Sequence, residues 1–259
     1  MRKSVSAIAL VLAVSTVSAC AAKHTVDVRA VAGNEQQTKL DQAQADSALR
    51  LARASRGAGD YGSAISLYRS VLSMGRGDPM VAVELGDTLN DAGALDDAID
   101  VYQRVDIKSP ARSAALLGLE QTYLAIPDLA KALAYSDQAL ALSPGDSRVL
   151  IARGVVLDML KRHKEAQDLY RAVLATAPRN VPARNNLALS LSLTGTYDEA
   201  VEILAPMAKS STATPKIRQN LALIYGLKGD VQSAAALSRM DLDQATTDAN
   251  LRFFNFIGK

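Results

Sequence analysis

"ALDDAIDVY", residues 94–102, decides the fold, because it returns along the chain with its alanine in one register. "DYGSAISLY" (60–68) precedes it, and "RHKEAQDLY" (162–170) and "TYDEAVEIL" (196–204) follow, so Ala64, Ala98, Ala166 and Ala200 are separated by 34, 68 and 34 residues. The skipped copy is Ala132 in "DLAKALAYS", and one further step of 34 reaches Ala234 in "DVQSAAALS". Six alanines at a fixed period mark an array of small repeated units, each of which needs its neighbours to bury a core.

The residues around each alanine give the unit its shape. Leu51, Leu85, Leu119, Leu187 and Leu221 stand thirteen residues earlier, and a small residue usually follows them: Ala52, Gly86, Gly154, Ala188 and Ala222. Small residues at both positions let two helices approach closely, so the leucines are expected to face the partner helix. Tyr68, Tyr102, Tyr170 and Leu204 follow their alanines by four, on the same helix face. Pro110, Pro144 and Pro178, twelve after theirs, are expected to end the second helix of a unit. Pro79 and Pro215 suit a first helical turn, and Gly59, Gly93, Gly195 and Gly229 suit the turn inside each unit.

A 34-residue helix-turn-helix unit with this pattern resembles the tetratricopeptide repeat (TPR), whose two helices are called A and B. The resemblance implies an all-α superhelical solenoid of about six units over residues 45–240, followed by a C-terminal capping helix in 241–259. Some positions depart from the pattern. Ala48, Ala82, Leu116, Leu150, Arg184 and Arg218 replace the family's bulky aromatic of helix A, Glu120 stands where a small residue is expected, and Pro127 replaces a turn glycine. The third unit is therefore expected to be bent or shifted. In the sixth, Ser238 and Asp241 predict a short helix B.

Composition agrees with helices built on alanine and leucine: the chain is 49% hydrophobic but only 4% aromatic, and it lacks Trp. A single cysteine, Cys20, excludes an internal disulfide, and it closes the stretch "VSAC". Arg2 and Lys3 precede an uncharged run, Ser4 to Ala19, which is shorter than a membrane-spanning helix and reads as a signal peptide over 1–19. Val17, Ser18, Ala19 and Cys20 resemble the bacterial lipobox. That resemblance implies cleavage before Cys20 and a diacylglycerol on its sulfur; no other cofactor is expected. Several acyl chains hold a protein stably at a membrane, since each buried CH2 contributes ~0.8 kcal/mol. Ala21 stands where an inner-membrane retention aspartate would be, which implies the periplasmic face of the outer membrane. Residues 20–44 read as the anchor and a flexible tether, spanning roughly 25–30 Å as coil.

Loss of residues 1–19 removes two of the 29 basic residues and none of the 27 acidic ones, leaving 27 of each. A neutral chain offers no basic field for nucleic acid. "GAGDYG" (57–62) matches a dinucleotide fingerprint but lacks a strand before it, and "RGD" (76–78) is a three-residue match expected by chance. Of the two histidines, His24 lies beside the anchor and His163 is expected to pack, so no nucleophilic or metal centre can be assembled and no enzyme is predicted.

By resemblance to TPR proteins, helix A lines a groove that would include Asp87, Gln121, Ile151, Val155, Asn185, Asn186, Leu189, Gln219, Asn220 and Leu223. Apolar and amide groups suit an extended peptide or helix of a protein partner. The Lys/Arg pattern by which some TPRs clamp a terminal carboxylate is not evident. The tail holds Phe253, Phe254 and Phe256, expected to cap the last repeat or to dock on a partner. Its "DL" followed by "NLRFF", together with the lipobox and the repeats, resembles the TPR lipoproteins of Flp/Tad (tight adherence) pilus machineries, the assembly protein D group. That resemblance implies a scaffold that helps assemble or localise the pilus secretin. The alternative is a TPR lipoprotein of another envelope machine, a different secretin or outer-membrane barrel assembly.

Overall fold

A computed structural model describes residues 28–75 and 78–257. Cys20, His24 and the signal segment, together with Arg76 and Gly77 of the RGD stretch, lie outside the described residues, as do the side chains beyond Phe254. Thirteen α-helices and no strand appear among the described residues: α1 (Val28–Gly57), α2 (Tyr61–Ser73), α3 (Met80–Asp91), α4 (Leu95–Gln103), α5 (Arg112–Ala125), α6 (Leu129–Leu142), α7 (Ser147–Met159), α8 (His163–Thr176), α9 (Val181–Leu193), α10 (Tyr197–Ala208), α11 (Pro215–Lys228), α12 (Val231–Ser238) and α13 (Gln244–Ile257). Met1–Ala43 and Gln44–Lys259 separate as two units.

The second unit is the repeat array. Five A/B pairs pack from α3/α4 to α11/α12, and each B helix from α2 onward packs on the next A helix; α1 and α2 supply the first unit, with Ala52 and Ala64 fully buried. All six register alanines are fully buried. A Cβ placed on Gly86 or Gly154 would overlap the ring of Tyr102 or Tyr170, both themselves buried, so glycine is what lets helix B lie against helix A. Tyr102 also lies against Gly118 of the following helix A. The apolar core falls into two successive clusters, one from Ala45 to Val156 and one from Leu157 to Ile224. α13 covers the last pair, with Phe254 buried over Gly226.

Polar side chains at the helix starts and turns fix the boundaries. Asp60, Asp128, Asn180 and Asp230 each accept a hydrogen bond from the backbone N–H three residues on, satisfying one orphan donor of α2, α6, α9 and α12. Gly59, Gly93, Gly195 and Gly229 take positive φ between 76° and 90° in the A-to-B turns. At the same step of the register Lys161 (φ 64°) is held left-handed too, so the packed helices impose the turn on a residue that opposes it.

The tyrosine hydroxyls are tied to helix A. Tyr170 donates to Asp158 Oδ2 (3.0 Å), while Asp158 Oδ1 accepts from Ser190 Oγ (2.7 Å) and meets His163 Nδ1 (2.8 Å). Two units earlier, Asn90 Oδ1 accepts from Thr122 Oγ1 (2.9 Å), and Asn90 Nδ2 donates to Tyr102 Oη (3.3 Å). His163 thus packs as expected, tying α8 to α7 within its own unit, while Ser190 of α9 supplies the polar link to the next unit.

Several expectations need correction. Leu85, Leu119, Leu187 and Leu221 are buried, but Leu51 is 56% exposed. Leu85 lies between α2 and α4, near Leu72 and Val101, whereas Leu51 has only α2 beside it and no helix precedes α1 among the described residues. Pro110 does not end a helix, because α4 stops at Gln103. There the chain turns Val105 inward, where its carbonyl accepts from Arg112 Nη1 (3.1 Å). The third unit is not shifted: Ala132 is buried in register between two 14-residue helices, α5 and α6. α12, with eight residues, is short as expected. Finally, the coil expected over 20–44 is helical from Val28 onward. Gln and Ala recur through 28–44, and with single Glu, Lys, Arg and Leu residues these strong helix formers make up most of the stretch, so the coil span does not apply there.

Candidate binding surface on the helix A side

α9 and α11 are the A helices of the fifth and sixth units. Each begins with a capping side chain and a proline in its first turn: Asn180 before Val181-Pro182, and Thr214 before Pro215. One turn further on, three amides meet. Asn220 Nδ2 donates to Asn185 Oδ1 (2.7 Å), and Asn185 Nδ2 donates to Asn186 Oδ1 (3.2 Å). Asn185 is buried as the middle member. Asn186 Nδ2 and Asn220 Oδ1 are left with no partner among the described residues, one donor and one acceptor on neighbouring units.

The other groove candidates fare unevenly. Ile151, Val155, Leu189 and Leu223 are half-buried and Gln121 is exposed on helix A. Asp87 is engaged internally: it accepts from Tyr102 Oη (2.7 Å), and burial raises its pKa above the usual carboxylate range. Gln219 donates to Asp241 Oδ2 (3.2 Å). Phe254 is committed to the cap, Phe253 is 53% exposed, and the side chain of Phe256 is outside the described residues.

Beside the amides lies an open cavity of about 900 Å³, walled by the start of α9, the end of α10, residues 210–214 and the start of α11. Pro206 and Met207 form its apolar side; Asn185, Asn186, Ser210, Thr212 and Thr214 supply amides and hydroxyls; Arg179, Arg184 and Lys216 supply charge. No Asp or Glu lines it. The groove reading missed these cations. The sequence signal for one of them was present, since Arg184 and Arg218 both replace the aromatic expected in helix A.

The two arginines are 34 residues apart and behave differently. Arg218 forms a two-pronged pair with Asp241, Nε to Oδ2 at 2.8 Å and Nη2 to Oδ1, in a site where the carboxylate side chain is 8% exposed. The hydrogen bonds from Arg218 hold the Asp241 carboxyl below its ordinary range, and Asp241 raises Arg218 in turn. Among the described residues Arg184 has only a long contact, Nη2 to the Ile203 carbonyl at 3.4 Å. The residue 34 before Asp241 is Met207, which cannot neutralise it.

Among the described residues no group of three or more His, Cys, Asp or Glu could hold a metal ion, and no helix is long and apolar enough to cross a membrane. Two family profiles, both described as tetratricopeptide repeat, match the chain: one at residues 49–115 and 115–181, the other at 159–224. Among curated proteins, an uncharacterized protein of Sinorhizobium fredii, y4yS, is 35% identical over 105 residues, 40% of this chain and 58% of that protein. The human tetratricopeptide repeat protein 7B is 26% identical over 49% of this chain and 15% of its own length. The chain thus spans little more than half of one curated relative and a small part of the other. Among solved structures, a tetratricopeptide repeat protein of Parabacteroides merdae superposes with a TM-score of 0.62 at 17% identity, covering 82% of this chain and 87% of that one. A TPR protein of Thermus thermophilus gives 0.57 at 24% identity, covering 69% and 98%. At these identities the likeness speaks for the fold alone. The repeat register, the buried small residues and the profile matches over more than half of its length agree: the chain belongs to the tetratricopeptide repeat family.

Proposed function

We propose that this protein is a non-enzymatic scaffold that holds an extended segment of a protein partner along the helix A side of its last repeats. The observation that carries this reading is the amide row Asn220–Asn185–Asn186, which leaves one donor and one acceptor without a partner among the described residues, on half-buried side chains of adjacent units. A peptide backbone offers the complementary pair at every residue. The half-buried Leu189 and Leu223 flank the row with apolar surface for alternate side chains.

The finer reading joins this surface to the N-terminal sequence. Cys20 behind "VSA" is the lipid attachment point, holding the repeats at the periplasmic face of the outer membrane, and the partner is the secretin or another component of a Flp/Tad pilus. What supports it is the lipobox, the repeat array and the tail stretch "NLRFF" in one chain.

The test is a crosslinking capture from envelope membranes with the native chain and an Asn186→Ala, Asn220→Ala double variant of matched thermal stability. Recovery of a secretin with the native chain and its loss with the variant supports both parts. Equal recovery from both rejects the amide row as the contact, and recovery of no pilus component rejects the pilus assignment. Cys20→Ala, followed by fractionation, reads the anchor separately: the variant moves to the soluble periplasmic fraction with its repeats folded.

A further inference from the structure

The cavity between α9 and α11 is a cationic site lacking an internal counter-charge that its sister unit possesses. In the sixth unit, Arg218 is saturated by Asp241 through two parallel hydrogen bonds. In the fifth, Arg184 occupies the same register position, half-buried, with Met207 where the aspartate would be. A half-buried guanidinium facing no carboxylate has lost hydration and gained only the long contact to the Ile203 carbonyl. Two more cations, Arg179 and Lys216, line the same space with no ion pair among the described residues. The first turns of α9 and α11 both open on it, so the positive ends of the two helix dipoles add to the potential of the side chains.

We propose that this cavity binds an acidic side chain of a partner's peptide segment, with Arg184 gripping the carboxylate as Arg218 grips Asp241. The occupant is a segment carrying Asp or Glu within a few residues of the stretch lying on the amide row, because Asn185 and Asn186 line both surfaces. Its aliphatic stem lies against Pro206 and Met207, and its oxygens face Arg184, with Lys216 and Arg179 at the rim. This rests on the reading that the helix A side holds protein segments, and on neither the lipid anchor nor the pilus assignment.

The experiment is isothermal titration of the full-length chain in detergent with a decapeptide carrying three glutamates, acetylated and amidated so that no terminal carboxylate contributes. Its counterpart carries glutamine at those positions. The glutamate peptide binds, weakens as salt is raised, and exceeds the glutamine peptide by about tenfold or more, the scale of one charge-assisted fork. Arg184→Gln lowers its affinity by a similar factor. Met207→Asp does the same while keeping every cation, because it builds the internal partner that the sixth unit has. Melting temperatures accompany both variants, and if Met207→Asp unfolds the chain, Lys216→Gln takes its place with a smaller expected loss. Equal binding of the two peptides overturns the proposal, as does unchanged affinity in Arg184→Gln or no binding at about 1 mM peptide. Inorganic phosphate competing as well as the peptide would make the cavity a small-anion site, and Arg184-dependent binding to anionic vesicles in place of peptide would make it a membrane contact; either result overturns the peptide reading. Purified peptide reads the cavity and capture from membranes reads the partner's identity, so one can fail without the other.

Discussion

In the second and fourth repeats a large ring on helix B lies over a glycine on helix A: Tyr102 over Gly86, and Tyr170 over Gly154. In the third the same two positions hold Ser136 and Glu120, so the bulk has changed sides. Both arrangements keep the helices packed and the register alanine buried. What differs is how the polar atoms fare. The tyrosine hydroxyls end on Asp87 and Asp158, whereas Glu120 Oε2 and Ser136 Oγ are buried with no hydrogen-bond partner among the described residues. The interface conserves volume, and it tolerates a chemical exchange at the expense of polar satisfaction.

The strongest way to break the comparison is to remove the ring. Tyr102 touches the A helices of two units, at Gly86 and Gly118, so Tyr102→Ala opens a cavity at a junction between repeats. The expected loss is about 3–5 kcal/mol in urea unfolding, as for other large-to-small core changes. A loss under about 1 kcal/mol would mean that neighbouring side chains refill the space and that ring volume is not what spaces the helices.

Next in size is the third repeat itself. Burial pushes the Glu120 carboxyl up to about 8; the positive charge of Arg153 on α7 opposes the shift weakly, and Tyr170 of α8 also lies within its field. A carboxyl raised in the folded state favours folding while it is protonated. Its contribution is complete below the unfolded value near 4.5 and is lost as pH rises toward 8. Glu120→Gln keeps the volume and removes the charge. The variant should be about 2–4 kcal/mol more stable than the native chain at pH 8, with little difference at pH 4. Parallel stability curves for the two proteins between pH 4 and 8 would show that Glu120 is hydrated, and the contrast with the tyrosine repeats would collapse.

The sequence carried the parts of this comparison that depend on local spacing. Six alanines, the small residues of helix A and four turn glycines lie at fixed offsets, and each does in the structure what its offset implies. Readings failed where a residue's fate is set by what lies beside it in space. Leu51 has the sequence of its buried sisters and is exposed, because exposure depends on a preceding helix. Pro110 sits at the helix-ending offset, yet α4 had already yielded to a loop held by Val105 and Arg112. The cavity was illegible for the same reason. Arg184 and Arg218 look alike in sequence, and only the pair with Asp241, 23 residues further on, reveals that the position needs a carboxylate and that Met207 withholds it.

The smallest expected effect sharpens the comparison at the turns. If the ring-on-glycine interface of the fourth repeat fixes how α7 and α8 meet, the turn between them must adopt whatever backbone that requires, and Lys161 is held at φ 64°. A residue with a Cβ pays about 1–2 kcal/mol in this region, and glycine forfeits about half of the gain through its greater freedom in the unfolded chain. Lys161→Gly, which copies Gly93 and Gly195, should therefore raise stability by about 0.5–1 kcal/mol, read as a higher urea midpoint at unchanged slope. Because the interface and not the turn sets the geometry, combining Lys161→Gly with Tyr170→Phe should give additive effects. Strong coupling between the two would mean that the turn and the ring position one another, and the imposed conformation at Lys161 would then belong to the packing as much as Gly154 does.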